Sequence, residues 1–292
     1  MRWLAFVALV VGMASTALAQ NPDLVFQIDG RMQFLGQREG PTFVRFYDNL
    51  GRHSVASIRA FLEIGFQAFV SQKFARIPKD ADSDQLDEYY VEDEGLWRLG
   101  KQYLPFGGGN FLRESVLAAR GETTLLFENF PIVVAACDAG EGKQRGFVGR
   151  LGSNYALSFA VGRHFGINGT SFDLVRRPEE SPGAGRGYRE IYGFDLKNRV
   201  LPGIQLAGEA VLLRSGETSL DRDNFMFDLS AHFDSDPDSQ LTFGWTRDIA
   251  AHHDFYRAGA SIFFSRYLTM EPMIRYRNSE LYDLSLTAHF RF

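Results

Sequence analysis

The stretch Tyr282-Asp283-Leu284-Ser285-Leu286-Thr287-Ala288-His289-Phe290-Arg291-Phe292 decides the fold, because every second residue in it is apolar and polar or charged residues stand between. A period of two belongs to an extended strand, whose successive side chains point to opposite sides. One face therefore meets an apolar medium and the other meets water or polar groups. The alternation recurs upstream in Phe225, Phe227, Leu229, Ala231 and Phe233 against Met226, Asp228, Ser230 and His232. It continues in Tyr256, Ala258, Ala260, Ile262 and Phe264 against Arg257, Gly259, Ser261 and Ser265, and in Leu268, Met270, Ile274 and Tyr276 against Thr269, Glu271, Arg275 and Arg277. Near the start, Leu24, Phe26, Ile28, Met32 and Phe34 alternate with Gln27, Asp29, Arg31 and Gln33.

Strand length and charge decide which face is which. Strands of a soluble sandwich average about 5–6 residues, whereas these runs approach the roughly ten that cross a membrane in a tilted barrel wall. Phe or Tyr sits near many of their ends, as interfacial aromatic girdles require. Charged residues lie mid-run, where facing lipid would cost a cation about 2 to 4 kcal/mol. The apolar side is therefore expected to face acyl chains and the ionic side to enclose water.

Composition agrees with a folded β-protein. A single cysteine excludes an internal disulfide framework or a Cys-rich zinc module, and 14% aromatic residues argue against disorder. No apolar run is long enough for a bundle of membrane-spanning helices. Met1 and Arg2, the apolar run Trp3 to Ala14 and the small-x-small pattern Ala17-Leu18-Ala19 read as an export signal over residues 1–19, leaving 20–292 as the barrel. Its removal takes the net charge from −5 to −6, since Arg2 is the only charge lost. No basic stripe suggests nucleic acid as a partner.

Periodicity and turn signals give an all-β, antiparallel, up-and-down transmembrane barrel of about fourteen strands. Short connections at Glu94-Gly95, Gly152-Ser153-Asn154, Asn198 to Pro202, Asp234 to Ser239 and Arg266-Tyr267 fall on one side. Long ones at Gly36 to His53, Pro105 to Lys143 and Gly166 to Arg186 fall on the other. Val55 to Ile77 is divided at Gly65 to keep the count even. Pairing of Thr123 to Phe127 with Ile132 to Ala136 would raise the count to about sixteen; an undivided Val55 to Ile77, with one more segment failing, would lower it to about twelve.

LDEYYVEDEGLWRLGKQYLPFG, residues 86–107, resembles a segment of the phosphate-selective porin O and P family, in which a strand with an acidic-aromatic pattern precedes R-x-G-[KR]-x-x-x-P-F-G. Here that motif is Arg98, Gly100, Lys101, Pro105, Phe106 and Gly107. The likeness continues in QRGFVGRLGSNYALSFAVGRHFG, residues 144–166, and in the terminal hairpins. The resemblance implies a homotrimeric channel in the outer membrane, bedded in lipid and lipopolysaccharide, with a long loop folded into the pore, here Pro105 to Lys143. Family members that prefer phosphate carry an arginine ladder and a lysine ring; only Lys101 and Lys143 stand near the expected constriction, so phosphate selectivity does not carry over.

The function expected is a porin, a water-filled channel for passive diffusion of small hydrophilic solutes, with no cofactor and no catalytic residue. Candidate wall residues are Arg31, Arg59, Glu63, Arg98, Glu209, Glu271, Arg275 and Arg291; Arg113, Glu114 and Arg120 are placed on the inserted loop. Arg59, Arg98, Lys101, Arg113, Arg120 and Arg145 tilt the expectation toward anions, phosphate among them, while pairing with Glu63, Glu88 and Glu114 is the structural alternative. Phe292 is expected to act as the assembly signal. Asp228, Ser230 and His232 on one strand face raise a hydrolase alternative, judged too loosely spaced for a nucleophile–base contact. A transporter of hydrophobic substrates is the other, disfavoured because only Gln20 to Asp23 precede the first strand and the lumen set is charged. His252-His253-Asp254 makes a poor metal chelate, and Cys137 is placed in the long loop.

Overall fold

The computed structural model describes residues 25–39, 43–50, 54–62, 65–74, 86–112, 115–124, 130–138, 145–165, 188–214, 223–236, 238–250 and 252–292. The export signal expected at 1–19 lies outside them. The described strands are β1 (Val25–Glu39), β2 (Phe43–Leu50), β3 (Val55–Phe61), β4 (Phe66–Lys73), β5 (Leu86–Asp93), β6 (Trp97–Tyr103), β7 (Ser115–Thr124), β8 (Pro131–Asp138), β9 (Arg145–Gly152), β10 (Tyr155–Phe165), β11 (Tyr188–Leu201), β12 (Ile204–Arg214), β13 (Asn224–Asp236), β14 (Ser239–Asp248), β15 (His253–Ser265), β16 (Leu268–Arg277) and β17 (Glu280–Arg291).

Apart from β2 and β3, each strand pairs antiparallel with its sequence neighbour, and β1 also pairs with β17, so the sheet closes. On its other side β1 pairs with β2 through Glu39↔Phe43 and with β3 through Arg31↔Val55 to Val25↔Phe61. β2 and β3 thus run end to end as one interrupted strand, and the barrel has 16 strand positions. Closure leaves no unpaired edge, the condition a sheet must meet in hydrocarbon.

The count of about fourteen is corrected to 16 by the very pairing on which the higher number depended. β7 and β8 form a hairpin with Thr123↔Ile132 in register. The stretch 105–143 is consequently not one loop: its middle builds wall, and Arg120 and Cys137 stand on β7 and β8. The stretch 36–53 likewise contains the end of β1 and all of β2. The division at Gly65 is where the chain turns, with a φ of 85° that a side chain would resist. The connections 94–96, 153–154, 202–203 and 266–267 are short and lie at one end, and 278–279 is equally short at the other.

Polarity is inverted relative to a soluble fold. The outward face carries Phe147 and Leu157 at 60% and 59% exposure, with Leu229, Phe225 and Phe243 also exposed. The inward positions between them hold Asp228 at 1% and Arg275, Asp283, Thr246 and Arg257, all buried. Phe225 and Leu284 do not meet at a centre; the inner face of β13 to β17 is polar and ionic, as the alternation requires.

Candidate functional site

The barrel interior is divided into two unlike halves. The inward positions Ala118, Ala135, Val148, Ala160, Ile191 and Val211 on β7 to β12 are small or apolar, and all are buried. What buries them is the segment between β6 and β7. Leu104, Phe106, Phe111 and Leu112 leave the wall after Tyr103 and pack on these positions as one cluster. A hydrophobic core thus forms inside the barrel, on one side only, driven by the same removal of apolar surface from water that builds a soluble core.

Polar bonds fix the middle of this segment. The Gly107 N–H donates to Ser158 Oγ on β10 at 2.9 Å. The N–H groups of Gly108 and Asn110 donate to Glu209 Oε2 on β12, at 3.1 and 2.9 Å. The Asn110 amide donates to Asp228 on β13 at 3.4 Å. The segment therefore crosses from β6 to the wall of β10–β13. Phe106 lies against Gly193, where a Cβ would come within 2.8 Å of its ring.

The opposite half remains open. A cavity of about 480 Å³ lies between β1, β3–β6 and β16–β17, with Asp29, Arg31, Phe69, Glu88, Tyr103 and His289 in its lining. Both signs of charge are present and largely engaged. Arg291 Nε meets Asp29 at 2.9 Å, His289 Nε2 meets Glu271 at 2.9 Å, and Tyr103 donates to both oxygens of Asp87. Deeper in the wall a relay runs across four strands, β3 to β6: Arg59 donates to Gln67 at 3.2 Å, Gln67 to Glu92 at 2.7 Å, and Arg98 Nε to Glu92 at 2.6 Å. The two guanidinium groups lie over Phe69 and Tyr90, rings that stack at 5.0 Å.

The sequence-derived residues divide accordingly. Arg31, Arg59, Arg98, Glu271, Arg275 and Arg291 fall on inward positions, and Arg275 is bound to Asp283. Arg120 is also inward, on the wall beside Arg98, and is paired with Glu122 at 2.6 Å. Arg145 has the outward parity of Phe147, whereas Lys101, just past the positive-φ Gly100, is buried at 5% exposure. Lys101 Nζ donates to the Leu86 carbonyl at 2.7 Å, and Arg145 pairs with Asp138 at 3.1 Å. Glu209 is inward but buried beneath the inserted segment. Glu63, Arg113 and Glu114 lie outside the described residues. Cys137 is buried on the inner face of β8, against the apolar cluster.

Ser230 Oγ and His232 Nε2 are 3.2 Å apart, closer than backbone spacing suggested, because side chains two apart on one strand face can lean together. Asp228 does not complete a triad; it is held by Arg257 at 2.6 and 2.8 Å and by Thr246, while the other ring nitrogen of His232 meets Thr242 Oγ1 at 3.0 Å. Asp254, beside the two histidines, is engaged by Trp245 and Arg247.

No protein-family model and no curated sequence matches the chain. Solved structures do. The outer-membrane channel DcaP of Acinetobacter baumannii has a TM-score of 0.61 at 9% identity, covering 92% of this chain and 96% of that one. The fold is that of an outer-membrane porin. The anion-selective porin from Comamonas acidovorans has a TM-score of 0.57 at 9% identity, covering 92% and 100%. OmpT of Vibrio cholerae in its trimer form has a TM-score of 0.51 at 10% identity, covering 92% and 99%. At such identities the likeness is one of porin architecture, shared over nearly whole chains.

Proposed function

We propose that the chain is an outer-membrane porin through which small hydrophilic solutes diffuse passively. One observation carries this reading: the closed sheet turns apolar side chains outward and encloses an open, ionic half-lumen. A continuous wetted path of charged and hydroxyl groups lets a solute keep its hydration while crossing hydrocarbon. Arg31, His289 and Arg291, facing Asp29, Asp87 and Glu88, give a mixed field that favours polar over apolar solutes.

The finer expectations belong to the same proposal. A mild preference for anions, phosphate included, rests on Arg31, Arg59, Arg98 and Arg120 on the inner wall, although Arg98 and Arg120 have carboxylate partners. The motif Arg98 to Gly107 resembles the phosphate-selective porin O and P family, and kinship with that family is part of the proposal. Export by residues 1–19, a surrounding of lipid and lipopolysaccharide, and a homotrimer complete it. The trimer draws support from the trimer form of the Vibrio cholerae protein. The second ring nitrogen of His232 meets the Thr242 hydroxyl and not a carboxylate, which supports a channel over a hydrolase.

The test is reconstitution of the purified chain into liposomes, with swelling followed in sugars and organic anions of increasing size. Swelling that falls with solute size is the expected result; tight liposomes would overturn the reading.

A further inference from the structure

Among the candidate lumen charges, Glu209 stands apart, because it faces protein and not the open half-lumen. It is 2% exposed, so a permeating ion does not reach it. Both N–H groups of the inserted segment that bind it converge on one oxygen, Oε2. The other oxygen, Oε1, is buried and has no hydrogen-bond partner among the described residues. Its cross-strand neighbours of the same inward parity are Asp195 and Asp228, and each of these carries its own arginine, Arg150 at 2.6 Å and Arg257 at 2.6 Å. Glu209 thus sits between two ion pairs and binds only backbone.

The segment is shaped to this carboxylate. Gly107 has a φ of 54°, and a Cβ placed there would run into the Glu209 carboxylate. Gly108 also lies close, with a Cβ position 3.3 Å from Oε2. Phe106 on one side and Phe111 with Leu112 on the other are clamped in the apolar cluster. The turn between these anchors has no side chain of its own to pack except Asn110, so its distance from the β12 wall is set by the bonds to Glu209, with those to Ser158 and Asp228 alongside.

We propose that Glu209 is a positioning residue of the channel: through Oε2 alone it holds residues 107–110 against β12 and so sets the cross-section left open on the far side, while its charge does not act on permeating ions. This rests on the porin reading above and adds to it which residue fixes the constriction.

The test uses single-channel recording of the full chain in planar bilayers. Glu209→Gln retains a carbonyl oxygen able to accept both N–H groups, and wild-type conductance and reversal potential are expected. Glu209→Leu keeps bulk but accepts nothing. It is expected to change conductance about twofold, with added current noise, at an unmoved reversal potential. Gly107→Ala, which presses on the carboxylate from the segment side and leaves β12 untouched, is expected to reproduce the conductance change should Glu209→Leu fail to assemble. A shifted reversal potential in Glu209→Gln would overturn the proposal, as would unchanged conductance and noise in Glu209→Leu or, in its place, Gly107→Ala. Absence of current from the wild-type chain would instead overturn the porin reading.

Discussion

Arg257 on β15 reaches Asp228 on β13 across the intervening strand, joining it through two hydrogen bonds of 2.6 and 2.8 Å. The guanidinium passes over Gly244 of β14, where an added Cβ would collide with it. Thr246 of the same strand donates its hydroxyl to Asp228 and accepts from Arg257 at 3.1 Å, so the bridge is seated on all three strands. Side chains spanning a strand in this way brace the curvature of the wall from inside.

Arg257→Met is expected to destabilise the barrel by about 3–5 kcal/mol, because it leaves Asp228 charged, buried and without its cation. Asp228→Asn combined with Arg257→Met is expected to recover much of that loss, since breaking a buried pair costs more than replacing it. Urea unfolding in lipid vesicles, followed by tryptophan fluorescence, measures both. A double variant no more stable than Arg257→Met would contradict the assignment.

The outward face makes the opposite demand. Leu229 is exposed on β13, one residue from Asp228. Leu229→Arg is expected to lower stability by about 2–4 kcal/mol if Leu229 faces the middle of the bilayer. The folded fraction recovered in vesicles reads this directly, and a variant as stable as wild type would place Leu229 outside the lipid.

The strands β13 to β17 were legible because their two faces meet different media, so polarity alternates from Phe225 to Phe292. β8 was hidden for the converse reason. Pro131-Ile132-Val133-Val134-Ala135-Ala136-Cys137 is apolar on both faces, since outward Val134 is exposed while inward Ala135 and Cys137 pack on the inserted segment. The period of two vanishes when a second apolar surface covers the lumen side. A segment folded into the pore was expected from the resemblance, but the surface it packs on was hidden for the same reason: Phe106, Phe111 and Leu112 gain meaning only once Ile191 and Val211, far along the chain, are brought opposite them. Parity further decides that Arg145 points outward, which a list of charges without register could not tell.

Charge in the open half should set ion preference. Arg31 lines the cavity together with Asp29 of the same strand. Removing a cation lowers the local potential for anions, and removing an anion raises it. Arg31→Ala is expected to move the reversal potential in a salt gradient toward cation selectivity, and Asp29→Asn to move it toward anion selectivity. Shifts of the same sign in both, or none in either, would take these residues out of the conducting path.

The seam between the first and last strands gives the final prediction. Phe292 donates its N–H to the Ile28 carbonyl at 2.7 Å and accepts from the Ile28 N–H at 3.0 Å, and its ring stacks on Tyr267 at 6.2 Å. This pair closes the seam at the barrel end beside the 266–267 turn, and its loss leaves the first and last strands unpaired there. Truncation after Arg291 removes both bonds and the ring; Phe292→Ala removes only the ring. The truncated chain is therefore expected to yield far less heat-modifiable folded barrel in outer-membrane fractions than Phe292→Ala, with wild type highest. Equal yields for the truncation and Phe292→Ala would assign the residue's role to its ring, as an assembly signal read by its side chain, and remove the seam from the account; equal yields for all three would remove both.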